Sequence, residues 1–318
     1  MADCSGAKCP ACQATLGEIS LEQPVDYEYG VKPDRDYCYR RCASCASEWL
    51  EPRPDDEQLP NFYPDNYHAH NDDHGMVAGL LVRIRGWLRG RKYRSLLPDR
   101  KSGRLFDVGA GDCRHFEELQ RYADWEFAGV EIQEPVAASA RVRGYDIETG
   151  VLESMDLSRH RGRYDLVSMN HVLEHVRDPE EVVKRCYELL KPGGYLIGQQ
   201  PTNSTWETVF GDAWAGYHYP RHLQVFSRPG LQQMLANRGF NSIRIRSAPH
   251  CQTAISMQNA LLARGWSLPL DHGRSRIYGL LLLISLPVEF IAWILDRSGT
   301  NDFIARRPVE SPANGTAV

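Results

Sequence analysis

The run Leu105-Phe106-Asp107-Val108-Gly109-Ala110-Gly111-Asp112-Cys113 constrains this chain more than any other stretch. A short apolar strand carrying an acid runs into a two-glycine turn, and helical text follows. Glycine lets a backbone turn sharply and approach a ligand closely. A dinucleotide site would put a third glycine against a pyrophosphate and keep the strand end neutral. Here Arg114 holds that third position, and Asp107 would stand beside the phosphates. An acid next to the turn suits a cationic ligand instead.

Further apolar runs follow at Glu126 to Val130, Tyr164 to Met169 and Tyr195 to Gly198, with helical patterns between them at Glu134 to Arg143 and Pro179 to Leu190. Strands spaced by helices predict βαβ units and a mostly parallel sheet. Glu131 follows the strand at Glu126 to Val130, about twenty residues beyond the glycines, where a carboxylate can accept both hydroxyls of a ribose. S-adenosylmethionine has a ribose, an ammonium, a sulfonium and no phosphate.

Three motifs in order carry a family resemblance over about Arg104 to Phe240. Asp107-Val108-Gly109-Ala110-Gly111 resembles the first motif of the class I methyltransferases, Tyr164 to His175 their fourth-strand motif, and Leu189-Leu190-Lys191-Pro192-Gly193-Gly194-Tyr195-Leu196 their turn into the fifth strand. The resemblance implies a doubly wound, mostly parallel, seven-stranded α/β sheet with a Rossmann-like site for S-adenosylmethionine. Asp107, Gly109 and Gly111 would surround the methionine part, Glu131 the ribose, and Ile132 one face of the adenine. Asn170 and His171 would border the reacting methyl. Where the family often has Gly-Asp to bind the adenine amino group, this chain has Gly150-Val151-Leu152. That contact would then come from Glu153, Asp156 or the Leu152 N–H.

Methyl transfer needs an in-line approach of the acceptor, and a positioned base helps when the acceptor is a hydroxyl. His171, at a strand end, is one candidate base, and a wall residue orienting the cofactor is its other reading. Glu174 and His175 read as packing. His218-Tyr219-Pro220-Arg221-His222-Leu223 resembles a segment of a bacterial methyltransferase subgroup and lies where acceptors enter such sheets. His218 and His222 are therefore further candidates, with packing as the alternative. Arg221 could pair with a substrate phosphate or carboxylate.

Nine cysteines occur, and four make two close pairs, Cys9-Pro10-Ala11-Cys12 and Cys42-Ala43-Ser44-Cys45. Four thiolates so spaced can close a tetrahedral structural zinc site. Cys4 and Cys38 read as bystanders. The spacing is similar to the N-terminal zinc domains of some sugar C-methyltransferases. The N-terminus shows no signal pattern, so the expected location is cytoplasmic, at the inner face of the membrane if the segment described next meets lipid. A net charge of -4 weighs against nucleic acid as a partner.

Ile277 to Leu295 is apolar at nearly the length of a membrane span, yet Pro287 should break a helix there and Glu289 would be costly in lipid. Asp302 to Arg307 resembles the family's antiparallel last strand, which must return to the sheet. Peripheral membrane contact through 277–295, a homodimer contact and a buried helical pair remain open. The expected organisation is a zinc ribbon over 1–54, a linker and amphipathic helix over 55–98 with Leu80, Leu81, Ile84, Trp87 and Leu88 on its apolar face, and a core over 99–248. An apolar insertion over 249–300, the last strand over 301–308 and a disordered tail over 309–318 complete it. The function expected is methylation of a small or lipid-linked acceptor, first a sugar or glycan hydroxyl, alternatively a polyketide-like or quinone-like metabolite. A non-catalytic zinc-anchored binding module is the rival from another class.

Overall fold

The computed structural model describes residues 8–15, 17–64, 67, 76–97, 99, 101–203 and 205–309, with the side chains of 76–85, 114 and 205 set aside. Strands β1 (Gly17–Leu21), β2 (Cys38–Cys42) and β3 (Glu48–Glu51) form an antiparallel ribbon. Then come α1 (Met76–Leu96), β4 (Ser102–Val108), α2 (Arg114–Leu119), β5 (Asp124–Glu131), α3 (Glu134–Val142) and β6 (Asp146–Thr149). They are followed by β7 (Tyr164–Asn170), α4 (Pro179–Leu189), β8 (Leu190–Pro201), α5 (Thr205–Phe210), β9 (Gln224–Val225), α6 (Arg228–Asn237) and β10 (Asn241–Ser247). The chain continues through α7 (Gln252–Ala263), β11 (Leu270–Asp271), β12 (Arg274–Ser275), α8 (Tyr278–Ile294) and β13 (Thr300–Arg306).

Seven strands make the central sheet in the order β10-β13-β8-β7-β4-β5-β6. Only β13 runs antiparallel to its neighbours. This is the doubly wound Rossmann-like sheet that the motifs imply. Side chains alternate along a strand, so adjacent residues feed different layers. Leu105, Leu166 and Ile197 pack with Phe116 and Leu119 of α2 and with Ala137 and Ala140 of α3. Their neighbours Phe106, Val167 and Leu196 pack instead with Val182, Val183, Cys186 and Leu189 of α4 and with Leu231 and Met234 of α6. Asp178 caps α4 by accepting from the Glu181 N–H at 3.0 Å, and Pro179 opens its first turn.

The N-terminal ribbon is joined to this core. Strand β3 pairs with β9, matching Glu48 to Val225 and Trp49 to Gln224. A third apolar cluster of Tyr37, Tyr39, Leu50, Phe62, Trp214 and Tyr217 fills the space between them.

Two expectations are corrected. In α1 Trp87 and Leu88 are exposed, and Gly86, Gly90, Tyr93 and Leu97 form the buried face instead. The glycines lie against the Glu118 side chain and the Tyr122 ring, and at Gly90 a Cβ would run into that ring. Leu80, Leu81 and Ile84 lie among the side chains outside the description. Pro287 does not break α8, which runs unbroken from Tyr278 to Ile294. A proline inside a helix removes one backbone hydrogen bond, and the turns on either side continue around it. Residues 1–7 with Cys4, and 310–318 of the expected tail, lie outside the described residues.

Candidate active site and thiolate cluster

The strand order reverses between β4 and β7, and the C-terminal ends of β4, β5 and β7 meet there, the usual ligand site of such sheets. Gly109 (φ 71°) and Gly111 (φ 53°) both take the left-handed conformation that glycine tolerates best. A Cβ at Gly111 would meet no atom within 4 Å, so the space over the turn is open. Glu131 Oε2 accepts from the Gly111 N–H at 2.9 Å and Oε1 from the Gln133 N–H at 3.0 Å. A carboxylate offers about four lone-pair positions, which leaves two for ribose hydroxyls. Asp107 is buried, receives the Ser168 hydroxyl proton on Oδ1, and has His115 Nε2 2.9 Å from Oδ2.

Ile132 is 66% exposed beside Glu131, as a residue lying against an adenine must be, and Val151 is exposed on the neighbouring loop while Leu152 is buried. Asp156 accepts from the Ser158 N–H and hydroxyl at 2.9 and 2.8 Å. Tyr93, buried in α1, lies near Asn170 at the end of β7. An open turn, a carboxylate with spare lone pairs and an exposed aliphatic wall fit S-adenosylmethionine.

His171 follows Asn170 with φ 55°, rare outside glycine, and its N–H donates to the Gln199 carbonyl at 2.8 Å. Its Nδ1 lies 3.1 Å from Glu174 Oε1 and its Nε2 3.1 Å from Gln199 Oε1. The Gln199 amide is oriented by Asp302, whose Oδ1 accepts from its Nε2 at 2.8 Å. Both imidazole nitrogens therefore face acceptor oxygens. Glu174 is fully buried. Burial alone would push its carboxyl up, but the hydrogen bond and charge of His171, with the charges of His175 and His222, hold it down at about 2. Sequence reasoning passed Glu174 over as packing, although its place three residues beyond a candidate base was a usable signal. The His250 ring, 5.0 Å from that of His171, was also missed.

The loop expected to bind acceptor is largely occupied by the protein itself. Arg221 is 1% exposed and pairs with both oxygens of Asp26, at 2.9 and 3.1 Å. It also donates to the Phe62 and Tyr219 carbonyls and stacks over Tyr29, so it is not available to a substrate anion. His218 lies between Glu28 Oε1 at 3.0 Å and the Tyr67 hydroxyl at 3.1 Å. His222 is buried and donates from Nδ1 to the Gly216 carbonyl at 2.7 Å. Burial, together with the charges of His175 and His218, holds the His222 imidazole well below its usual value. The structure thus brings only His171 of the three candidates to the strand end beside the glycine turn. Glu174, His175 and His222 each offer a ligand atom within 4.8 Å of the others and could take a metal ion.

The four thiols of the two Cys pairs also converge. Cys9 and Cys45 Sγ are 3.6 Å apart, and Cys12 and Cys42 Sγ 3.5 Å. Tetrahedral zinc with bonds of about 2.3 Å spaces its sulfurs about 3.8 Å apart. Donor set and spacing fit zinc, with no open position for a substrate. The cluster is pinned to α6: Ser227, which caps that helix, bonds the Cys45 carbonyl and the Ser47 hydroxyl. A Cβ at Gly230 would collide with Ser47 Oγ and crowd Cys45 Sγ at 3.1 Å, so only glycine allows this approach. A separate surface cleft, between Asp99, Arg104, Asp124 and Lys191, opens at the N-terminal ends of the central strands, opposite the glycine turns, and shares no residue with them.

A model of the family described as "Methyltransferase domain" matches residues 83–245. The ubiquinone biosynthesis O-methyltransferase of Bordetella avium is 33% identical over 160 residues, covering 49% of this chain and 56% of that protein. Its counterpart in Shewanella halifaxensis is 31% identical over 159 residues, covering 48% and 56%. The chain thus spans little more than half the length of these curated relatives. A putative sarcosine dimethylglycine methyltransferase from Galdieria sulphuraria, 14% identical, shares the fold with a TM-score of 0.50 over 77% of this chain and 91% of its own. Sheet order, glycine turn and family match agree, and the chain belongs to the class I S-adenosylmethionine-dependent methyltransferases.

Proposed function

We propose that the protein transfers the methyl group of S-adenosylmethionine to a phenolic hydroxyl of a quinone-like acceptor. The observation that carries this is His171, held between the buried Glu174 carboxylate and Gln199 at the strand end next to the glycine turn. With both nitrogens facing acceptor oxygens, a doubly protonated imidazole there would present its positive charge to an acceptor oxygen. A phenol ionises near pH 10, as tyrosine does, and a nearby cation brings that lower. A sugar hydroxyl is far less acidic, and a cation alone does little for it. This favours the quinone-like alternative over the sugar hydroxyl, and the relatives' name, ubiquinone biosynthesis O-methyltransferase, supports the same choice. The acceptor proton leaves to solvent, the phenolate oxygen forms its bond to the methyl carbon, and the carbon–sulfur bond breaks to leave a neutral thioether. Cys9, Cys12, Cys42 and Cys45 hold a structural zinc in this reading.

Labelled S-adenosylmethionine incubated with the protein and either catechol-type quinol precursors or glycan acceptors tests it. Label entering the phenols is expected. Label entering only the glycans overturns the acceptor, and no cofactor binding by calorimetry overturns the enzyme.

A further inference from the structure

Helix α8 has its polarity inverted for a surface helix. Its buried stripe is Leu281, Ser285, Glu289 and Ala292, at the spacing of one helix face. Outward stand Leu283, Ile284, Phe290, Ile291, Trp293 and Ile294, each between 43% and 66% exposed. A soluble monomer rarely leaves so continuous an apolar surface in water. The helix's one charged residue faces inward: Glu289 Oε1 accepts from the Thr253 N–H at 3.1 Å and from the Thr253 hydroxyl. The outward face therefore has no charge to desolvate.

Among the described residues no helix is long and apolar enough to cross a membrane. Seventeen residues give about 25 Å, and the buried stripe keeps α8 against α7. That geometry suits a helix lying in the plane of a bilayer surface. The charge pattern matches. Exposed Arg264, Arg274, Arg276 and Arg297 bracket the helix in the chain, against the exposed Asp271. Trp266 and Trp293 are both exposed, as residues that settle at headgroup level are.

We propose that α8 docks flat into the headgroup layer of an anionic bilayer. The placement sets the site at the lipid surface. His250, beside His171, lies three residues before Thr253, and Thr253 bonds α8 through Glu289. An apolar acceptor could then enter from the lipid without crossing water. That last step rests on the quinone-like reading, whereas the docking does not.

The test is flotation of the full chain with phosphatidylcholine vesicles, with and without phosphatidylglycerol, at low and high salt. Light scattering and cofactor calorimetry accompany it. Wild type should float best with the anionic vesicles, and salt should remove only part of the binding, because screening acts on the arginines and not on the apolar face. Leu283→Glu with Ile291→Glu should cut vesicle partition by roughly two orders of magnitude, one for each aliphatic side chain kept out of lipid. Melting temperature and cofactor affinity should not change, since both side chains point outward. Wild type that never floats overturns the proposal. So does a wild-type dimer that the double variant splits while neither binds vesicles, which would place a second copy on α8. Flotation that survives both substitutions assigns binding to another surface. A failure of the quinone-like reading looks different: the protein floats, but no phenol is methylated in either detergent or vesicles.

Discussion

His171 Nδ1 lies 3.1 Å from Oε1 of Glu174, a carboxylate that solvent does not reach, so the charge at the end of β7 is set by a partner on the following turn. Glu174→Gln keeps the shape and removes the countercharge. It should lower kcat/KM by roughly 10- to 100-fold, and His171→Asn by about 100- to 1000-fold, the range for losing one group that stabilises transition-state charge. Cofactor affinity should stay near wild type in both. If His171→Asn methylates phenols at the wild-type rate, His171 is a wall residue only.

Burial, with neighbouring charges, lowers the imidazoles of His175 and His222, and His171, His175 and His222 hold Glu174 down at about 2. A histidine lowered in the fold binds fewer protons than its unfolded counterpart, so stability falls as pH drops through about 6.5. Glu174 adds a second loss, beginning as pH falls below its unfolded value and complete near 2. Denaturant midpoints should therefore decline in two stages. His222→Asn should shrink the first stage most and the second less, since the His171 hydrogen bond still holds Glu174 down. A midpoint flat between pH 7 and 5 would contradict this.

Asp26 accepts from the N–H groups of Glu28, Tyr29 and Val31 and from both terminal nitrogens of Arg221. Asp26→Ala leaves a buried guanidinium without its countercharge and should cost about 3–5 kcal/mol. Urea unfolding followed by tryptophan fluorescence measures this. A loss under 1 kcal/mol would mean that water reaches Arg221.

These residues also show where the sequence stopped being readable. The strand and turn from Leu105 to Gly111 stood out because period, acid and glycines coincide within a few positions. Arg221 looked available to a substrate because its partner, Asp26, lies 195 residues away, and no local pattern signals a long-range ion pair. Strand β6 is four residues, two of them acids, at the sheet edge, and offers no apolar run. In α1 the buried face is partly glycine, so hydrophobic spacing pointed to Trp87 and Leu88 instead. Glu174 read as an ordinary helical acid because its burial comes from the β9 side, where the Leu223 and Gln224 N–H groups meet its carbonyl.

Glu131 is the clean position for testing the cofactor side. Gly109 is not, because its φ of 71° strains any side chain and a Cβ would meet Val172 Cγ2 at 2.7 Å. Glu131→Ala removes a charged acceptor for two ribose hydroxyls and should weaken S-adenosylmethionine binding by roughly 100-fold or more. Glu131→Gln should lose less, since one acceptor oxygen remains. Calorimetric affinities equal to wild type in both variants would move the ribose elsewhere.

Purified, freshly reduced protein should contain one zinc per chain, bound by Cys9, Cys12, Cys42 and Cys45. Its removal should reach the active site by a traceable route. Ser227, the cap of α6, and Gly230 within it rest on Cys45 and Ser47, and β3 pairs with β9, which begins two residues after His222. Chelation should thus loosen the ribbon and the loop carrying His218 and His222 together. Asp107, Gly111 and Glu131 are held by β4 and β5, on the far side of β7 from these contacts. The expected signature is a raised KM for acceptor and a lowered melting temperature, with S-adenosylmethionine affinity within about threefold of wild type. Cys12→Ser should reproduce it without chelator, which excludes removal of a metal from Glu174, His175 and His222 as the cause. Metal analysis showing no zinc, or chelated protein with unchanged acceptor kinetics and melting, would leave the four thiols without a structural metal.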